Sequence, residues 1–118
     1  MKGISLVSRT LAELKKHSMT YQVVEHYNMY DRKRHDLFGM FDVLAIYDKR
    51  IIGIQVCSRG TLKAHLKKIM DNPVRQIWLV ALGKIEIWAW HKVCKLNKDG
   101  KKSKVKEWQV VIQEIKED

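Results

Sequence analysis

Two apolar runs, FDVLAIY (41–47) and IIGIQVC (51–57), are separated only by Asp48, Lys49 and Arg50. So short a gap joins two antiparallel strands as a hairpin. Both runs are apolar at nearly every position rather than at alternate ones. A sheet built on them must therefore be covered on both faces.

The rest of the chain supplies the cover. Val7, Leu11 and Leu14, with Ile4 before them, recur at helical spacing, so 4–17 is expected to be a helix, with Ser5 as its N-cap. TYQVVEH (20–26) is rich in β-formers and reads as a strand, and 27–38 as a loop. Leu62, Leu66, Ile69 and Met70 mark a second helix over 60–70, stopped by Asp71-Asn72-Pro73. IWLVAL (77–82), 85–93 and 105–115 read as three further strands, with 95–104 as a loop carrying a DG turn. The expectation is one domain over 1–118. Its class is α/β or α+β, a mixed sheet flanked by helices in the order αβββαβββ. Trp78, Trp88, Trp90 and Trp108 all fall on expected strands, where packing is the simplest use for them.

Lysine and arginine number 23 against 13 acidic residues, a net charge of +10 in 118 residues. A small chain this basic points to a polyanionic partner, with nucleic acid first. No apolar run approaches the roughly 18 residues of a membrane span, and the N-terminus has no signal-peptide pattern. Cys57 and Cys94 are too few and too far apart for a disulfide framework or a zinc site, so a reducing, cytoplasmic setting is expected. The five histidines, 17, 26, 35, 65 and 91, show no metal-ligand spacing.

The residues that carry chemistry are Asp42, at the head of one apolar run, and Gln55, inside the next, thirteen positions on. If the runs pair as a hairpin, both polar groups can lie at one end of the sheet and on one face. A carboxylate buried there needs compensation, from a metal, a basic side chain or backbone amides. Oxygen ligands suit a hard divalent ion.

This arrangement resembles the PD-(D/E)XK nuclease superfamily, above all the archaeal-type Holliday junction resolvases and related phage-encoded proteins. The signature is an Asp at a strand start, then (D/E)-x-K ending the next strand. Here Asp42 is followed by Gln55-Val56-Cys57, and the helix, hairpin, helix, strand order agrees over about 4–82. The resemblance implies a restriction-endonuclease-like fold and phosphodiester hydrolysis with Mg²⁺ or Mn²⁺. Asp42 would be the main ligand, Gln55 the second, and the Val56 carbonyl a third. It also implies a DNA substrate, branched DNA included, a symmetric homodimer, and a prokaryotic or phage-infected cytoplasm; the apolar last strands are the surface expected for such a dimer.

Three positions depart from the signature. Gln55 stands for an acid, Cys57 for the Lys, and Ser5 and Ser8 occupy the region where a first-helix Glu is expected, Glu13 coming too late. Lys63 is the expected substitute for the missing Lys, and Asp36 the spare carboxylate. Basic clusters would hold DNA phosphates: Arg32, Lys33 and Arg34; Arg59, Lys63, Lys67 and Lys68; and Lys98, Lys101, Lys102 and Lys104 within a Lys-rich loop. No base-reading motif is visible, so the contacts should be to backbone and shape. A nucleic-acid-binding protein on the same fold, with catalysis lost, is the alternative the departures leave open. A basic face meeting an acidic protein or a membrane surface is a third.

Overall fold

The computed structural model describes residues 5–117. Ile4, expected in the first helix, lies outside them.

The hairpin is present. β4 (Val43–Tyr47) pairs antiparallel with β5 (Arg50–Ser58), Tyr47 opposite Arg50. Asp48 and Lys49 form the two-residue connection, both at positive φ (49° and 65°). That is the type I′ geometry whose twist matches the flanking strands. β1 (Thr20–Val23) adds antiparallel to β4 on its outer side. β6 (Lys84–Leu96) adds parallel to β5, and β7 (Lys102–Ile115) antiparallel to β6. The sheet order is β1-β4-β5-β6-β7, a five-stranded mixed sheet.

Helices cover both faces, as the continuous apolar runs require. α1 (Leu6–Lys16) begins at Ser5, whose Oγ accepts the Ser8 amide at 3.1 Å. Its fully buried Leu14 packs on Val43, Ala45, Ile52, Ile54, Val56, Trp88 and Trp90. Thr10, also buried, donates its hydroxyl to the Leu6 carbonyl at 3.0 Å and accepts the Trp90 indole N–H at 2.9 Å. Trp108, on β7 opposite Lys92, joins Trp88 and Trp90 in this layer, the shared face expected of it. On the other face, α2 (Leu62–Met70) and α3 (Val74–Val80) close over Phe41, Cys57, Ile85, Ile87 and Ala89.

α3 corrects the expected strand at 77–82. A short apolar run does not distinguish strand from buried helix by periodicity. Pro73 sits just ahead of the helix with φ −65°, where its missing N–H costs nothing. Val74, Arg75, Trp78 and Leu79 face inward while Ile77 and Val80 stay exposed, a helical rather than an alternating pattern. Trp78 therefore lies on a helix, with its ring against Phe41.

Three boundaries also move. The strand expected over 20–26 ends at Val23. The expected loop over 27–38 holds a small hairpin of β2 (His26–Asn28) and β3 (Lys33–His35). The Lys-rich loop is mostly ribbon, β6 and β7 leaving only 97–101 between them. The described chain is thus mixed α/β, with three α-helices and two of them in tandem between β5 and β6, not αβββαβββ. None of the described helices is long and apolar enough to cross a membrane.

Candidate metal centre

Asp42 immediately precedes β4, and the hairpin register sets it beside Gln55. Val43 pairs with Ile54, and the Asp42 amide donates to the Ile54 carbonyl at 2.9 Å. Asp42 is 5% exposed and Gln55 3%. The carboxylate Oδ2 accepts two hydrogen bonds of 2.8 Å, from Gln55 Nε2 and from the Val56 amide. The expected pairing at one end of the sheet is what the structure shows.

Packing holds this end in place. Phe41 is fully buried, and its ring lies over Gly53: a Cβ built on Gly53 would come 2.4 Å from Phe41 Cε1 and Cζ. The absence of a side chain at 53 therefore allows Phe41 to sink, and with it the strand start that carries Asp42. Asn72 steadies the loop before it, donating to the Phe38 carbonyl at 2.9 Å.

Two further carboxylates converge on Asp42. Asp36, the spare acid expected from sequence, is one. Glu25 is the other, and sequence reasoning missed it. Glu25, Asp36 and Asp42 each offer an oxygen within 4.8 Å of the others, a group that could hold a metal ion. Glu25 arrives through backbone bonding: the Val24 and Glu25 amides both donate to the Asp42 carbonyl, at 2.9 and 3.3 Å. The sequence carried no separate signal for it, since Glu25 fell inside the strand expected over 20–26.

Cations from two other elements balance the cluster. Arg34 Nη1 reaches Glu25 Oε1 at 2.9 Å from β3, and Lys68 Nζ reaches Asp36 Oδ2 at 3.2 Å from α2. Lys63, the expected substitute for the motif Lys, makes no described contact with the carboxylates. Five residues separate it from Lys68, so the two point to different sides of the helix. Helical phase decides this, and it selects Lys68 and, one turn earlier, His65. Burial pulls the His65 imidazole below its usual value, Lys68 adds to that, and Asp36 opposes it.

Burial pushes the Asp42 carboxyl up to about 8, and a hydrogen bond with Asp36 and the charges of Asp36 and Glu25 push the same way, while the Val56 amide opposes them. Two carboxylates in contact cannot both ionise freely. Cys57 is a buried thiol raised chiefly by burial, with Asp42 adding to it and Thr61 opposing.

The donor set fits a hard cation. Three carboxylates meet at the cluster, and Gln55 Oε1 is buried with no hydrogen-bond partner among the described residues. An orphaned amide oxygen in such a place is costly unless something ligates it. The Cys57 thiol is too soft to join such a set.

The other expected nucleic-acid contacts scatter. Arg32 lies in the turn between β2 and β3, Lys33 and Arg34 on β3, and Arg59 in a 3-10 turn (Arg59–Thr61) leading into α2. Lys63 and Lys67 share the exposed side of α2. Lys98 and Lys101 lie in the 97–101 turn, and Lys102 and Lys104 on β7. Comparison with known proteins finds no matching family model, no matching curated protein and no matching solved structure.

Proposed function

We propose that the chain is a divalent-metal-dependent endonuclease of PD-(D/E)XK type that hydrolyses DNA phosphodiesters, branched DNA included. The observation that carries this is the convergence of Glu25, Asp36 and Asp42 beside the unpartnered Gln55 Oε1. The topology supports it: a helix, three antiparallel strands, a helical crossover, then a strand parallel to the third. In this reading the fold is restriction-endonuclease-like.

Asp42 and Gln55 would hold Mg²⁺ or Mn²⁺, with the Val56 carbonyl as the signature implies, Asp36 as the spare carboxylate, and Glu25 beside them. A divalent ion there supplies Lewis acidity toward a phosphoryl oxygen and lowers the pKa of a bound water. Asp42 must lose its proton to serve as a ligand, and Gln55 brings a donor oxygen without charge. Lys68 replaces the missing motif Lys as the ammonium nearest the carboxylates. Its reach to Asp36 places a positive charge where a scissile phosphate would add negative charge. On this reading two copies act together on a branched substrate.

The test incubates purified protein with labelled linear, flapped and four-way-junction DNA in Mg²⁺, Mn²⁺ or EDTA, beside Asp42→Ala. Metal-dependent cuts lost in the variant support the proposal. Uncut DNA under every metal, bound tightly in a salt-sensitive way, favours the second reading, a binding protein with lost catalysis. The observation on its side is Cys57, a buried thiol where the signature has an ammonium.

A further inference from the structure

β5 ends at Ser58, which pairs with Trp90 of β6. This is the same end of the sheet at which Asp42 and Gln55 meet. β6 does not stop there: it runs six residues further, to Leu96, and β7 returns from Lys102. At about 3.3 Å per residue the pair projects some 20 Å past the sheet end that carries the carboxylates.

The projecting segment is basic. It holds Lys92, Lys95, Lys98, Lys101, Lys102, Lys104 and Lys106 against two acids, Asp99 and Glu107. None of the ion pairs among the described residues uses any of these lysines. The register orders them. Lys92 pairs with Trp108, Cys94 with Lys106 and Leu96 with Lys102, so Lys92, Lys106 and Lys102 follow Trp108 along one face. Lys104 sits in the irregularity between, where Ser103 Oγ bonds the Val105 amide at 3.2 Å. A bulge of this kind increases local twist. At the base of the row, Arg9 and Lys92 lie over the Trp108 ring, 4.6 and 5.1 Å from its centroid. The strip therefore continues onto α1.

We infer that the β6–β7 ribbon is an arm that enters the major groove of B-form DNA and holds the duplex across the carboxylate end of the sheet. A two-stranded ribbon fits that groove, which is about 12 Å wide. The deep, narrow major groove of A-form RNA does not admit it. Lysines on the ribbon reach phosphates on the groove walls, and no base-reading side chain is needed. The inference rests on the proposed function only in taking a nucleic acid duplex as the partner.

The test is fluorescence anisotropy in EDTA with a blunt DNA duplex, the same sequence as an RNA duplex, and single-stranded DNA. Wild type is compared with the triple variant Lys102→Ser, Lys104→Ser and Lys106→Ser, and with the matching triple Arg variant. The expected result is that wild type prefers duplex DNA. The Ser triple should lose ten-fold or more in affinity for it, and the slope of log affinity against log salt should flatten by about 2 to 3, near 0.9 per phosphate contact. RNA duplex should change less, and the Arg triple should retain binding. Unchanged duplex binding in a Ser triple that melts like wild type overturns the inference, as does equal binding and equal loss on DNA and RNA duplexes. Cleavage in Mg²⁺ is scored separately. If the Ser triple loses duplex binding but wild type never cuts, the arm stands and the nuclease proposal falls. If wild type cuts and the Ser triple binds unchanged, the arm falls alone.

Discussion

Gln55 donates its side-chain amide to Asp42 Oδ2 over 2.8 Å, across the first register step beyond the β4–β5 ladder. The amide thereby turns its carbonyl oxygen, Oε1, into a buried position without a partner. An acid at 55 would instead set a fourth carboxylate against three. Glutamine thus adds a donor to the cluster without adding charge, and its unpartnered Oε1 is the atom the proposed function uses as a ligand.

Replacing Gln55 with Glu tests that balance. In EDTA, Gln55→Glu removes the donor to Asp42 and adds a like charge, so stability should fall by about 1–3 kcal/mol. With Mg²⁺ or Mn²⁺ the loss should reverse, and metal affinity should exceed that of wild type. Thermal melts with and without metal read both effects. Equal destabilisation in both conditions would remove the ligand role of residue 55.

Asp42 makes metal-free stability depend on pH. Its carboxyl is raised from 3.8 to about 8, so between those values the folded chain holds a proton that the unfolded chain releases. Stability therefore falls as pH rises from about 4 to about 8. Asp42→Asn should flatten that slope and melt higher than wild type at pH 8 in EDTA. Metal binding must displace the same proton, so wild-type affinity for Mg²⁺ should climb through this window. Denaturation at a series of pH values and a metal titration at pH 6 and 8 check the two signs.

Lys68 and Lys63 separate the structural reading from the spacing of the motif. Under the proposed function, Lys68→Met should lower the rate of metal-dependent cleavage by roughly 10²-fold or more, the scale expected of a positioned proton-handling or charge-stabilising group. Lys63→Met should leave the rate nearly unchanged and weaken DNA binding slightly. Single-turnover kinetics on saturating substrate separates rate from binding. The reverse pattern would return the role to Lys63.

Gly53→Ala tests how the site is seated. The added methyl meets the Phe41 ring, so Phe41 must move. Overpacking of this kind costs about 1–3 kcal/mol. Since Phe41 adjoins Asp42, metal affinity should fall along with stability, whereas Gly60→Ala, with open space around it, should spare the metal affinity. A melt and a metal titration on each variant decide it.

The hairpin, its turn, the first two helices and the Asp42–Gln55 pairing were all legible in sequence, because each rests on local spacing. Two uninterrupted apolar runs three residues apart can do little but pair, and pairing fixes which residue faces which. The helix at Val74–Val80 was not legible. IWLVAL satisfies strand and buried helix alike, and the choice falls to Pro73 and to the shape of the surface that Phe41 and Ile85 present. Glu25 was illegible for another reason: its approach to Asp42 depends on β1 adding to the outer edge of β4, a contact between segments about twenty residues apart.

Sequence alone determined the net charge, the covered sheet, the carboxylate at its end and the amide beside it. Those follow from residue type and from periods of two and 3.6, which need no partner to be read. The tertiary structure decided which lysine meets the carboxylates, which third acid joins them, and that the Lys-rich segment is a ribbon rising past the same end of the sheet. Each of these depends on how far one element is rotated or extended relative to another, and packing, not local spacing, sets that.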